Sequence, residues 1–298
     1  VTVLTDDLVT AEWLAEHLDD VRVVDIRGYV RATDLGSGKQ HAEYTGARDE
    51  YESGHIPGSV YVDWTQDIVD PEAEVKAQIA PPELFAERMQ SLGIGDSTDV
   101  VVVDHAGGHF ATRLWWALRY YGHDNVAILD GGYKRWNELG LPTSTEKMSP
   151  VTAVFTPRIQ RRLRSEASDV LALIGSGRRQ ILDARDAGQY SGAVQRGSRG
   201  GHIPGAKHFP VATLIRSDGQ WKTRDEIRAV AAQAGVSLDQ GVVAYCNGGV
   251  TATAALFGLH RAGLNDISNY DGSWNEWGER ADLPVEDNRD LFSTGDPA

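Results

Sequence analysis

Residues 101–136 and 242–277 align without a gap at a fixed offset of 141, with 11 identities in 36 positions. Unrelated segments of that length share about two identities, so the chain holds two copies of one unit. Any fold it adopts must therefore close twice on the same plan. Each copy runs from a β-branched segment (100–103; 242–245) through Gly-Gly and Ala-Thr into a helical stretch, and ends in Asp-Gly and a Trp (Asp130, Gly131, Trp136; Asp271, Gly272, Trp277). Upstream, both halves hold a strand ending in Asp-x-Arg (Asp25, Arg27; Asp183, Arg185) and then Gly-His-Ile-Pro-Gly (54–58; 201–205). The spacing differs there, which gives the first copy longer loops.

Short apolar runs bounded by turn residues alternate with longer amphipathic stretches in both halves, the signature of βαβ units feeding a parallel sheet. Strands are predicted at 21–26, 59–62, 100–104 and 126–129, and again at 180–184, 207–209, 242–245 and 267–269. Helices are predicted at 10–18, 82–92 and 110–121, and at 165–174, 223–234 and 251–261. Pro142, Pro150 and Pro157 interrupt any helix between 141 and 161, which places a linker there. The 298 residues, 41% of them apolar, suffice for two domains of ordinary size. The expected architecture is α/β: a first domain over 1–145, a linker over 146–160 and a second domain over 161–298, each a doubly wound parallel sheet with helices on both faces.

The net charge of −14 belongs to the first half, where residues 1–149 carry 12 Lys and Arg against 26 Asp and Glu, while residues 150–298 carry 17 of each. An acidic surface repels nucleic acid, so no such partner is expected, whereas the neutral second half suits a small anion. No stretch approaches the roughly 20 apolar residues of a membrane span, and Asp6, Asp7, Glu12 and Glu16 break up the start of the chain. A soluble, cytoplasmic protein with no membrane partner is the expectation. The single cysteine, Cys246, permits neither an intrachain disulfide nor a thiolate metal cluster.

Cys246 stands between a buried-type strand and a helical stretch, followed by Asn247, Gly248, Gly249, Val250 and Thr251. In open α/β sheets, ligands bind at the carboxyl ends of the strands. Two glycines let the backbone curl so that several N–H groups face one centre, and the helix N-terminus adds up to ~2 kcal/mol in favour of an anion. A nucleophilic thiolate is the expected consequence. The alternative is a small buried hydrophobe. The matching position in the first copy is His105, within His105-Ala106-Gly107-Gly108-His109, so the loop persists there without the thiol.

The Asp-x-Arg pairs, the Gly-His-Ile-Pro-Gly turns, the Cys-x-Gly-Gly-Val-Thr-Ala loop and the run Tyr270-Asp271-Gly272-Ser273-Trp274-x-Glu276-Trp277 together resemble the tandem rhodanese-like sulfurtransferases over essentially the whole chain. The resemblance implies two rhodanese-like domains, the first an inactive duplicate and the second catalytic. It implies Cys246 as nucleophile and Asn247, Gly248, Gly249, Val250, Thr251 and Ala252 as the loop that binds substrate. It also implies a small anionic sulfur donor, with thiosulfate the first expectation and 3-mercaptopyruvate the alternative, and cyanide or a thiol as acceptor. The thiolate would attack the outer sulfur of thiosulfate and expel sulfite, leaving a persulfide for a second nucleophile, in ping-pong order and without metal or organic cofactor. Neither specificity signature is intact. Animal-type thiosulfate enzymes look like Cys-Arg-Lys-Gly-Val-Thr and mercaptopyruvate enzymes like Cys-Gly-Ser-Gly-Val-Thr, whereas Asn247 and Gly248 follow the cysteine here. Gln189 stands where relatives of both types usually place a substrate-binding arginine, which leaves Arg196 and Arg199, with Arg185 of the same half, as candidates to hold the donor.

A cysteine-loop phosphatase would need an arginine six residues after the cysteine, where this chain has Ala252. His105 and His109 have the spacing of zinc ligands but no Glu between them and no third ligand in view. His55 and His202, like the Asp-x-Arg pairs, recur in the copy without the thiol and read as structural. Residues 36–39 read as a flexible surface loop, the basic run 158–164 as a solvated linker or a first strand packing on the acidic domain, and Trp115 and Trp116 as core and domain-interface residues. A persulfide carrier serving a protein acceptor needs the same thiolate, and the acidic first domain suggests a basic partner for it. Multiple turnover with small molecules separates the enzyme from the carrier.

Overall fold

The computed structural model describes residues 2–288, so the last part of the expected second domain, 289–298, lies outside the described residues. The first half runs β1 (Leu8–Val9), α1 (Ala11–Glu16), β2 (Arg22–Asp25), β3 (Gly28–Gly36), β4 (Lys39–Gly46), α2 (Arg48–Ser53), β5 (Val60–Tyr61), α3 (Pro82–Ser91), β6 (Val100–Val103), α4 (His109–Tyr120), β7 (Val126–Leu129) and α5 (Gly132–Glu138). The second half runs β8 (Arg164–Ser165), α6 (Ala167–Leu173), β9 (Gln180–Asp183), α7 (Ala187–Ser191), β10 (Lys207–His208), α8 (Arg224–Gln233), β11 (Val242–Tyr245), α9 (Thr251–Arg261), β12 (Ile267–Tyr270) and α10 (Ser273–Trp277).

Two five-stranded sheets result, with the orders β1-β7-β6-β2-β5 and β8-β12-β11-β9-β10, every pairing parallel. The central strands β6, β7, β9, β11 and β12 are buried at every residue, as strands covered by helices on both faces must be. Helix starts follow their caps: the Thr10 hydroxyl accepts the Trp13 N–H, and Thr223 and Glu226 form a capping box on α8.

Helices α4 and α9 are buried almost all round because each packs on its own sheet and against the other, which joins the two halves through one continuous apolar core. The Thr253 hydroxyl donates to that of Thr112 at 3.1 Å. These two residues are 141 apart, so a local two-fold relation passes between them. The same relation exchanges carboxylates. Asp130 accepts the Trp221 N–H at 2.8 Å, and Asp271 accepts the Ile79 N–H at 2.9 Å.

Residues 36–39 depart from the expected flexible loop: they are the tip of the antiparallel β3–β4 hairpin. The Gln195 N–H donates to the Gly38 carbonyl at 2.7 Å, and the Gln40 N–H donates back to the Gln195 carbonyl at 2.9 Å, so the tip is tied to the second domain. Strand β3 is exposed from Val30 on, and the half-buried face of β4 carries Gln40 and Ala42 beside Tyr44, too few apolar residues for the alternating pattern that reveals a strand in sequence. The segment between the domains is bound to the first one, with the Ala153 N–H on the Gln90 carbonyl and the Arg158 N–H on the Tyr121 carbonyl. Among the described residues no helix is long and apolar enough to cross a membrane.

Candidate active site

Strand β11 delivers Cys246 to the carboxyl end of the second sheet, where its residue is only 3% exposed. The Cys246 N–H donates to the Ser273 hydroxyl at 3.1 Å, and its carbonyl accepts the Trp274 N–H at 3.0 Å. The Asn247 carbonyl accepts the Asn275 N–H at 2.8 Å. The Gly249 carbonyl accepts from the Asn269 amide at 3.0 Å and from Arg113 Nη1 at 3.2 Å. In a trans peptide the C=O and the following N–H point in opposite directions. Holding these carbonyls on one side therefore turns the N–H groups of Asn247, Gly248 and Val250 to the other. No acceptor among the described residues takes the amides of 247–252. Gly249 has φ +71°, and a Cβ there would lie 2.8 Å from the Asp271 carbonyl oxygen, so only glycine fits the turn.

The matching loop of the first domain holds a carboxylate. Its Asp104 carboxylate accepts the N–H groups of Gly108 (3.3 Å), Phe110 (3.0 Å) and Ala111 (3.2 Å). By the offset of 141 these amides correspond to those of Gly249, Thr251 and Ala252. Position 104 corresponds to Tyr245, whose hydroxyl instead donates to Asp183 at 2.7 Å and accepts the Ile203 N–H at 3.0 Å. The two loops are not identical, since Gly107 has a positive φ and Gly248 does not. The first-domain loop gathers three amides on one carboxylate, whereas the carbonyl contacts of the second turn a different set, those of Asn247, Gly248 and Val250, to one side, and no described acceptor takes any amide of 247–252. His105 turns outward to Glu50 at 3.0 Å.

The first domain roofs the cysteine loop. A Cβ on Gly248 would lie 3.2 Å from the Ala77 Cβ and 3.7 Å from the Lys76 carbonyl. Beside it a cleft of about 280 Å³ is lined by Tyr44, Lys76, Arg196, Trp274 and Asn275. It shares Tyr44 and Lys76 with a neighbouring cavity of about 490 Å³. Burial pushes the Tyr44 phenol up, with Asn275 and Arg196 opposing and the Cys246 thiol reinforcing the rise. Tyr44 and Lys76 lie far from Cys246 in sequence and in the other copy, so no local pattern marks them.

The remaining candidates divide. Arg196 reaches the cleft, with Nε 3.2 Å from the Gln40 side chain. Arg199 does not: its guanidinium caps the carbonyls of Trp277, Gly278, Arg280 and Leu283 at the end of α10. Arg185 is buried on Asp183 (2.6 Å) and the Gly201 carbonyl (2.7 Å), over the Trp274 ring. Burial works against its charge, but Asp183 and Tyr245 outweigh it and hold the guanidinium above its ordinary value. The first domain has the same pair in Arg27 and Asp25. Gln189 is buried and accepts from the Asn247 amide at 2.8 Å, so neutral groups occupy this side of the loop. Among the described residues no group of three His, Cys, Asp or Glu could hold a metal.

The family model for the rhodanese-like domain matches residues 10–139 and 166–280. The 3-mercaptopyruvate sulfurtransferase of Escherichia coli (strain K12) is 35% identical over 283 residues, covering 93% of this chain and 97% of that protein. The thiosulfate sulfurtransferase of Gallus gallus is 32% identical over 277 residues, covering 92% and 94%. The crystal structure of SseA, a 3-mercaptopyruvate sulfotransferase from Escherichia coli, superposes with a TM-score of 0.78 at 32% identity, over 91% of this chain and 99% of that one.

Proposed function

The chain belongs to the rhodanese-like family, with two such domains in tandem, and we propose that it is a sulfurtransferase that carries a sulfane sulfur from thiosulfate to cyanide or a thiol as a persulfide on Cys246. The observation that carries this reading is the ring of unpaired amides over 247–252 beside the only cysteine, in a loop whose first-domain counterpart is filled by a carboxylate. The Cys246 thiolate attacks the outer sulfur of thiosulfate. A new S–S bond forms as the old one breaks, and sulfite departs with the electron pair. The charge on the terminal persulfide sulfur then rests among the loop amides, as an oxyanion would. An acceptor nucleophile takes that sulfur and releases Cys246 as thiolate. Arg196 and Lys76 line the cleft with Glu74 and Glu279, and the two cations are the groups assigned to the donor's charge. The first domain carries no reaction of its own.

A second donor, 3-mercaptopyruvate, is favoured by the neutral Asn247–Gln189 side of the loop, which leaves less cationic charge than a dianion calls for, and by the likeness to a relative of that activity. Intact-mass spectrometry of the parent and Cys246→Ser proteins after thiosulfate or 3-mercaptopyruvate, then cyanide, tests both. One added sulfur in the parent alone, removed by cyanide, is expected, with thiosulfate the faster donor. No gain from either donor in folded, reduced protein sinks the reading.

A further inference from the structure

We propose that Arg113, on α4 of the domain that lacks the cysteine, is a positioning residue for the Cys246 loop: one guanidinium fixes the Gly249 peptide of the cradle and the Ala77 roof above it. The inference rests on the sulfur-transfer reading of that loop.

Arg113 is 1% exposed. Its Nη1 donates to Asp271 Oδ1 at 2.6 Å and to the Gly249 carbonyl at 3.2 Å, while Nη2 donates to the Ala77 carbonyl at 2.7 Å. The guanidinium lies over the Trp116 ring, 4.7 Å from its centroid. Three segments that meet at the cysteine loop are thus gathered on one planar group from the other domain: the loop itself, the Asp-Gly turn after β12, and the roof. A planar fork suits this task and an ammonium does not, because its donors are fixed relative to one another. Ala77 is one of three described non-glycine residues with positive φ, at +68°, a conformation that persists only where the surroundings enforce it. Its carbonyl is the one Arg113 holds.

The duplication supplies a control. The residue 141 positions on from Arg113 is Ala254, so no arginine stands at the matching position, although the charge of Arg261 reaches Asp130 from elsewhere on α9. Asp130 takes the Gln220 side chain instead, at 3.2 Å. Among the described residues, no arginine on that side is bonded to both a loop carbonyl and the facing segment as Arg113 is. Arg113 stands on the side that faces Cys246. The chemical consequence follows from the peptide plane: with the Gly249 C=O held toward Arg113, the Val250 N–H faces the other way, where the terminal sulfur of the persulfide would need it.

The test uses full-length Arg113→Lys, which keeps a charge beside Asp271 but loses the fork, and the double variant Arg113→Met/Asp271→Asn, which removes the Arg113 charge with its carboxylate and leaves Arg164, 3.7 Å from Asp271, to Glu166. Three quantities are read: thermal midpoint, single-turnover sulfur loading from thiosulfate with its KM, and the alkylation rate of Cys246 by iodoacetamide at fixed pH. Cys246 is the only cysteine, so alkylation reports it alone and needs no sulfur donor. For Arg113→Lys the expectation is a midpoint close to the parent's, loading slowed at least ~10-fold, KM changed less than ~3-fold, and alkylation slowed at least ~3-fold. If that variant does not fold, the double variant is read against the same expectations. Loading and alkylation within twofold of the parent in a folded variant would overturn the proposal, as would losses that only track the unfolded fraction. Should the parent accept no sulfur, alkylation alone decides, and an unchanged rate counts against Arg113.

Discussion

Gly249 concentrates the demands on the cysteine loop in one residue. It must hold φ at +71°, pass within contact of the Asp271 carbonyl, and offer its own carbonyl to two donors. Gly249→Ala meets a strained conformation and a backbone clash together, so a loss of about 1–3 kcal/mol in unfolding free energy is expected. Sulfur loading should fall more than ~10-fold under conditions where the variant is still folded. Urea unfolding and single-turnover mass spectrometry check the two halves. This residue was legible in the sequence because the glycine pair, the strand before it and the helix after it are contiguous. Arg199 was not. Its partners are carbonyls of 277–283, which a turn after α10 brings together, and nothing local distinguishes such an arginine from one facing the cleft.

At the scale of elements, the β3–β4 hairpin is where the first copy departs from the second. Its tip is bonded to Gln195, next to Arg196, and its Gln40 side chain accepts from Arg196 directly. The hairpin thereby aims a cation of one domain from the other. Arg196→Ala should raise the donor KM about tenfold with kcat within about twofold. Replacing residues 33–41 by a two-residue Asn-Gly turn, which keeps the Ala32–Ala42 pair, should reproduce that KM, and adding Arg196→Ala to the shortened chain should change it little further, since both act through one contact. Steady-state kinetics of the three variants decide it; additive losses would separate the hairpin from Arg196. The long helices α3, α4, α8 and α9 were readable to within a residue or so because their apolar faces repeat at helical spacing. The hairpin's register comes from backbone pairing between an exposed β3 and a β4 whose half-buried face is mostly polar or small, which leaves no such trace.

The whole molecule is held by more than the α4–α9 core. Asp7 lies 3.1 Å from His260 Nε2 and 4.0 Å from Arg119, tying the start of the chain to the end of α9. Burial pushes the Asp7 carboxyl up, but the hydrogen bond and charge of His260, with Arg119 and Arg261, outweigh it and hold the group below its ordinary 3.8. A depressed carboxyl stabilises the fold above its unfolded value and stops doing so as pH falls through the folded one. Asp7→Asn should therefore lower the thermal midpoint at neutral pH, and the gap should close as pH drops below 3.8. A gap independent of pH would show that the carboxylate's charge is not what matters. The duplication, read from 11 matched positions, foretold two domains of one plan, but not that they share a core and exchange carboxylates, because such contacts join residues with no pattern between them. The copy without the thiol also gives every molecule an internal standard. Its amides at Gly108, Phe110 and Ala111 are bonded to Asp104. In a proton–nitrogen spectrum the amide resonances of 247–252 should move as sulfur loads, while those of Gly108, Phe110 and Ala111, and all of these in the Cys246→Ser protein, stay in place, so each sample carries its own unmoved reference.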